Sequence, residues 1–277
     1  MEIITILSAH KDTELVQNTI NSITEHVGNN ILTVIDGAVW NNWGKNAELT
    51  THKLQGFYHN HTSSPYKNVA LGLMTAAKEY NNADWFCYTE YDAYFVSDLF
   101  KNTLSLLDDN VWCAGNDLRS ATGPFVSNYR MPTNINWLEP INKLANVKIK
   151  YNKYLLGCCV FYRSELIYHL NDINFFEKFI NFTHIFEKGY FPGYKEYGGY
   201  DLSEHLYPTI THALGKKIYQ FAKWNGKNWS GNYKNFTMRW QPEILESELY
   251  KEASIFHPIK SINHPARKIY DNRRTSV

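Results

Sequence analysis

Two carboxylates, Glu90 and Asp92, follow directly on the apolar run Trp85–Thr89. At this spacing an extended chain projects both to the same side. A carboxylate pair at the carboxyl end of a buried strand suits a hard divalent cation that also touches substrate phosphates. The plainer alternative is two ordinary polar residues where a strand leaves the core, and an isolated acid-x-acid pattern is common by chance. A second pair of acids, Asp201 and Glu204, follows Gly198-Gly199 at the start of a helical pattern. That position can hold a general base at a ligand mouth. It also matches a capping box, with Asp201 capping and Glu204 reaching back. Late in the chain, His257 precedes Pro258, which favours extended backbone for the histidine.

These residues need elements to position them. Ile3–Leu7 reads as a strand, and Val16, Ile20, Ile23 and Val27 share one face of a helix capped by Asp12 and stopped at Gly28. Ile31–Ile35 reads as a second strand. Strand, helix and strand make a βαβ unit of a parallel sheet, whose ligands bind outside the carboxyl ends of the strands. Ser8, His10 and Asp36 fall there, although Asp36 before Gly37 also reads as a turn residue and His10 as a solvated loop residue. Ser64-Pro65 opens a helix with Val69, Leu73, Ala77 and Tyr80 on its buried face. Lys67 and Asn68 lie in its first turn. A lysine there opposes the helix dipole and points to an anionic partner, or is an exposed surface charge. A helix from about Asp98 to Leu107 and a strand at Val111–Ala114 follow. Residues 116–153 read as an irregular, substrate-facing insertion. Tyr154–Tyr162 is a strand interrupted by Gly157, a sign of close backbone approach by a ligand or of a bulge. A short helix starts after Ser164. Leu202, Leu206 and Ile210 mark a helix ending near Leu214, and Ile218–Ala222 a last strand. Tyr58-His59-Asn60-His61 reads as a polar loop rather than a metal cluster.

Composition limits the function classes. Aromatic residues make up 16% of the 277 residues, with 20 Tyr and 8 Trp, enough for a core and for stacking walls against sugars and bases. A net charge of +1 argues against a nucleic-acid or anionic-membrane binder. No apolar run is long enough for a transmembrane segment, and the start lacks a basic region, so no signal peptide is expected. Cys87, Cys113, Cys158 and Cys159 lack metal-motif spacing and read as buried thiols of a reducing, cytoplasmic setting. The four N-x-S/T sequons of this Asn-rich chain are taken as chance.

In this order, the motifs resemble those of the GT-A glycosyltransferases, over roughly residues 3 to 260. The family's D-x-D signature is similar to Glu90-Tyr91-Asp92, with Glu in place of the first Asp. Ile3–His10, Asp36 and Lys67-Asn68 resemble its nucleotide-binding strand ends and helix. Gly157 lies in a segment like the glycine-bearing strand beside the donor sugar. Gly199-Tyr200-Asp201 resembles the acceptor-side acid segment, and His257 the late metal-binding histidine.

The resemblance implies a single α/β domain spanning 1–277, with a Rossmann-like, mostly parallel sheet flanked by helices. Residues 1–115 form the nucleotide-binding half, 116–260 the acceptor half and 261–277 a tail. It also implies transfer of a sugar from a nucleotide-sugar, UDP the first choice, to a glycan or other hydroxyl acceptor. Asp92 and His257 would hold Mn²⁺ or Mg²⁺. Ser8, His10, Asp36, Lys67, Asn68 and Glu90 would contact the nucleotide, Glu90 through ribose or a water, and Lys67 or Lys260 could add positive charge. Asp201, with Glu204 in reserve, would act as base if the reaction inverts and would only position the acceptor if it retains. The alternatives are a carbohydrate-binding protein on such a scaffold and a nucleotidyltransferase. The Gly-rich, Lys-containing first loop of the latter has no match in Ser8-Ala9-His10-Lys11.

Overall fold

A computed structural model describes residues 1–10, 13–45, 47–57, 64–121, 138–149, 152–182, 202–224, 229–231, 237–238, 254–265 and 267–268. Its centre is a seven-stranded sheet, built mainly from the first two thirds of the chain. The strands are β1 (Ile3–Ala9), β2 (Ile31–Ile35), β3 (His52–Gln55), β4 (Trp85–Glu90), β6 (Val111–Ala121), β7 (Asn152–Arg163) and β8 (Lys217–Gln220). Their order is β3-β2-β1-β4-β7-β6-β8. Every pairing is parallel except those of β7, which runs antiparallel between β4 and β6. The expected mostly parallel sheet flanked by helices is thus observed. The same carboxyl edge collects the ends of β1, β2, β4 and β6 and the start of β7.

The helices follow from the apolar pattern. In α1 (Thr13–His26), Leu15, Val16, Ile20 and Ile23 are buried against the sheet. Gly28 ends this segment with φ of 150°, a conformation that a side chain disfavours, while its amide bonds the Ile23 carbonyl. In α3 (Ser64–Glu79), Val69, Leu73 and Ala76 pack on the opposite face. A methyl on Gly72 would come within 2.4 Å of Ile6, so α3 lies directly on β1. Alternation in β1 feeds both cores: Ile4 and Ile6 face α3, and Ile3 and Leu7 join the α1 side. Short α2 (Gly37–Val39) follows β2. Further helices among the described residues are α4 (Leu99–Ser105), α5 (Leu138–Ala145), α6 (Ser164–Asp172), α7 (Phe175–Phe182) and α8 (Leu202–Ala213). No helix among the described residues is long and apolar enough to cross a membrane.

A smaller sheet orders β11 (Thr237–Met238), β12 (Ile255–His257) and β5 (Tyr94–Phe95). β12 pairs antiparallel with β5, with Phe256 opposite Tyr94. The late segment is thereby laid beside the turn that carries Asp92. β9 (Ala222–Trp224) and β10 (Trp229–Gly231) form an antiparallel pair.

Several boundaries differ from the sequence reading. β6 continues past Ala114 to Ala121 through two register shifts, and α5 also falls inside the segment expected to be irregular. Bulges hide a strand from period-two counting. Edge strand β3 and the aromatic helix α7 were not expected, because His52–Gln55 alternates weakly and Phe-rich sequence has modest helix propensity. Within the expected tail, Arg267 is fully buried. The Asp12 cap and the Tyr58–His61 loop lie outside the described residues.

Candidate active site

β4 delivers Glu90 at its last position, and the turn after it delivers Asp92. The turn is closed by the Ala93 amide bonding the Glu90 carbonyl at 3.0 Å, and tied to β1 by the Tyr91 amide on the Ser8 carbonyl at 3.0 Å. β12 brings His257 against this turn. Its Nε2 lies 3.2 Å from Asp92 Oδ1 and 3.5 Å from Glu90 Oε2. One donor atom from each of Glu90, Asp92 and His257 falls within 4.8 Å of the others. The expectation put Glu90 toward ribose or water. The geometry groups its carboxylate with Asp92 and His257.

The electrostatics suit a cation. Burial alone would disfavour a charged Asp92, but neighbouring His257 and Lys260 outweigh it and hold the carboxyl below its usual range. Burial likewise opposes a charged His257, yet Cys158, Asp92 and Glu90 together carry its pKa well above the ordinary value. Burial keeps the Cys158 thiol protonated, so at neutral pH the carboxylates supply that pull. Asp92 Oδ1 is buried, and its neighbour at 3.2 Å is the His257 imidazole. A buried carboxylate is costly unless a positive group faces it, a place that the imidazolium fills here and that a metal ion bound by the neutral imidazole would also fill. Two carboxylates and one imidazole are a donor set that Mn²⁺ accepts more readily than Mg²⁺, which prefers oxygen throughout. The residues therefore fit a divalent ion held by Asp92, Glu90 and His257.

Beside this group lie the other strand ends. Ser8 stands opposite Glu90 in the β1–β4 register, and Ala9 opposite Ile35 in the β1–β2 register. Ser8, Asp36 and Glu90 therefore line neighbouring strand ends about 5 Å apart. His10 is exposed and meets Tyr91 edge-on, ring centroids 4.6 Å apart. Asp36 is buried, and its Oδ1 accepts the Ala38 amide at 2.8 Å, so it does cap the turn of α2. Asn68 accepts the Phe57 amide at 2.6 Å, and a methyl on Gly56 would strike that side chain. Lys67 places its ammonium 5.5 Å from the Phe57 ring centroid. Lys67 and Asn68 thus converge on the segment Gly56-Phe57, which is tied to the residues on either side of Asp36 by the Gly37 amide on the Phe57 carbonyl at 3.0 Å and the Gly56 amide on the Ile35 carbonyl at 2.7 Å. Asn68 and Asp36 have clear structural partners there.

Glu204 has a specific place. Its Oε1 accepts the Gly157 amide at 2.6 Å, and a Cβ on Gly157 would come within 2.6 Å of the Glu204 side chain. The glycine that sequence alone left between a ligand contact and a bulge is required by Glu204. Thr209 adds a second tie, accepting the Lys153 amide at 2.8 Å and donating to its carbonyl at 3.1 Å. α8 is thereby fastened along the first half of β7. Asp201 lies outside the described residues.

Sequence reasoning missed Cys158 as a neighbour of His257. Only the antiparallel register, Tyr88 opposite Val160, shows that Cys158 reaches the level of Glu90. It also missed Arg267 and Thr19, whose contacts join α1 to the late segment.

No family model matches the chain, and no curated protein matches it either. Solved structures are similar at low identity. One is a glycosyltransferase involved in glycosylating the major capsid of PBCV-1, at 13% identity and TM-score 0.44 over 100% of both chains. Another is the galactosyltransferase LgtC in complex with donor and acceptor sugar analogues, at 9% identity and TM-score 0.44, over 100% of this chain and 96% of that one. A third is the 4-diphosphocytidyl-2C-methyl-D-erythritol synthase of Anaerococcus prevotii, at 10% identity and TM-score 0.40, over 79% of this chain and 86% of that one. Similarity at this level identifies neither a family nor a substrate.

Proposed function

We propose that the protein is a metal-dependent glycosyltransferase that moves a sugar from a nucleoside-diphosphate sugar to an acceptor hydroxyl. The observation that carries this reading is the cluster of Glu90, Asp92 and His257 at the carboxyl edge of the sheet, beside the ends of β1 and β2. A divalent ion at this cluster supplies positive charge against a leaving diphosphate. Asp92 is the most buried of the three ligands and His257 comes from the far end of the chain, so the site closes only in the folded protein. Lys260 adds a second positive charge near Asp92. Ser8, His10, Asp36 and Lys67 border the space where the nucleoside fits, Asp36 by its backbone turn as much as by its carboxylate. Uridine is the first choice of base, on the family resemblance.

On the acceptor side, Glu204 is committed to the Gly157 amide, and its role is to hold β7 beside the donor. Asp201 is the candidate base. In an inverting transfer it takes the proton of the acceptor hydroxyl as that oxygen bonds to the anomeric carbon and the carbon–phosphate-oxygen bond breaks. In a retaining transfer it orients the acceptor. Incubating the protein with nucleoside-diphosphate sugars and Mn²⁺, with EDTA controls, tests the reading. Metal-dependent release of the nucleoside diphosphate supports it. Tight sugar binding without turnover favours a carbohydrate-binding protein, and pyrophosphate release from a nucleoside triphosphate favours a nucleotidyltransferase.

A further inference from the structure

Arg267 is fully buried, an unusual place for a group that never loses its charge. Its guanidinium lies 4.7 Å from the centroid of the Tyr94 ring. Nη1 donates to Asn18 Oδ1 at 2.5 Å. Nη2 donates to Thr19 Oγ1 at 3.1 Å and to the Ile259 carbonyl at 3.3 Å. The contacts with Tyr94, Thr19 and Ile259 lead onward to the proposed cation site. The Thr19 hydroxyl donates to the Tyr91 carbonyl at 2.6 Å and lies 3.2 Å from the Ala93 carbonyl, so it grips the residues on either side of Asp92. The Ile259 amide donates to the Asp92 carbonyl at 2.7 Å, two residues after His257. Tyr94 lies opposite Phe256 in the β5–β12 pair.

We infer that Arg267 is a positioning residue that fastens the Asp92 turn and the His257 segment into one cation-binding geometry. The inference rests on the reading of Glu90, Asp92 and His257 as a metal site. The two ligand-bearing segments are far apart in sequence, and a planar fork of donors can span acceptors on α1 and on the late segment together. A lysine ammonium cannot reproduce that fork. Burying the charge is offset by three oxygen acceptors and an aromatic face. The consequence is that the cation site is complete only when Arg267 is docked on α1.

The test uses the full chain, with Mn²⁺ alone as the probe, titrated by electron paramagnetic resonance at a temperature where circular dichroism shows native fold. Melting without metal is measured in parallel. Arg267→Met and Thr19→Val should weaken Mn²⁺ binding about tenfold or more while folded, the scale seen when residues supporting metal ligands are removed. Thr19→Ser keeps the hydroxyl and should bind as wild type does. If Arg267→Met does not fold, the Val and Ser variants at Thr19 decide. Lower melting with unchanged Mn²⁺ affinity in both Arg267→Met and Thr19→Val would make Arg267 merely structural and overturn the inference alone. Wild-type protein that binds no Mn²⁺, or binds it equally after Asp92→Asn, would overturn the metal-site reading and the inference with it.

Discussion

His257 places its imidazole 3.2 Å from the carboxylate of Asp92, bringing a residue near the end of the chain onto the turn after the fourth strand. The two carboxylates beside this imidazole differ in what surrounds them. Asp92 is almost wholly buried, whereas the third member of the group, Glu90, keeps 43% of its side chain exposed. A buried carboxylate forgoes solvation that an exposed one keeps, so a cation gains more from Asp92. Asp92→Asn should therefore weaken Mn²⁺ binding at least about tenfold more than Glu90→Gln, a difference of roughly 1.4 kcal/mol. Calorimetric titration of both variants measures this. Equal losses would remove the ranking.

The Gly157–Glu204 contact leads to a stability prediction. Gly157→Ala puts a methyl where the Glu204 carboxylate now lies, and overpacking of this kind costs about 1–3 kcal/mol. In a Glu204→Ala background the space is open and the same change should cost much less. A double-mutant cycle by urea unfolding reads the coupling directly. Additive effects would mean that the glycine answers to something other than Glu204.

His205 gives the protein a pH dependence on the acid side. It is fully buried on α8, its ring 5.1 Å from that of Tyr154, and burial lowers its pKa from 6.5 to about 4. The unfolded chain binds the proton at the higher pH, so this stabilisation is complete above pH 6.5 and is lost as the pH falls toward 4. The size is on the order of 3 kcal/mol. His205→Gln should flatten the fall in stability across that window, measured by denaturant melts at several pH values. An unchanged slope would assign the acid sensitivity to other groups.

The role of Asp201 is separable from capping. If Asp201 caps the helix, Asp201→Asn keeps a capping oxygen, whereas Asp201→Ala removes it at a cost of about 0.5–2 kcal/mol. If Asp201 is the base, the Asn variant melts near wild type, binds donor normally and transfers sugar far more slowly. Near-normal transfer by the Asn variant, with melting lowered only in the Ala variant, assigns Asp201 to the cap and points to a retaining reaction.

The parts legible in the sequence are those set by local pattern. Ile3–Ala9, Ile31–Ile35 and Trp85–Glu90 are short runs dominated by apolar residues, and the α1 and α3 stripes repeat at helical spacing, so the βαβ frame and its carboxyl edge could be read directly. The acids of that edge could be named for the same reason. What stayed hidden depends on contacts between distant segments. Glu204 reaches Gly157 only because α8 packs on β7, and Cys158 nears His257 only through an antiparallel register that no single strand announces. Arg267 sits in a polar, tail-like sequence, and its burial follows from acceptors on α1, far away in the chain.

The central claim is a metal-dependent nucleoside-diphosphate site at Glu90, Asp92 and His257. Isothermal titration of wild-type protein with UDP, in Mn²⁺, in EDTA and after Mn²⁺ is restored, tests it most directly. The expected result is saturable binding in Mn²⁺ that disappears in EDTA and returns with the metal. No binding under any of these conditions, or the same UDP affinity in EDTA as in Mn²⁺, would contradict it.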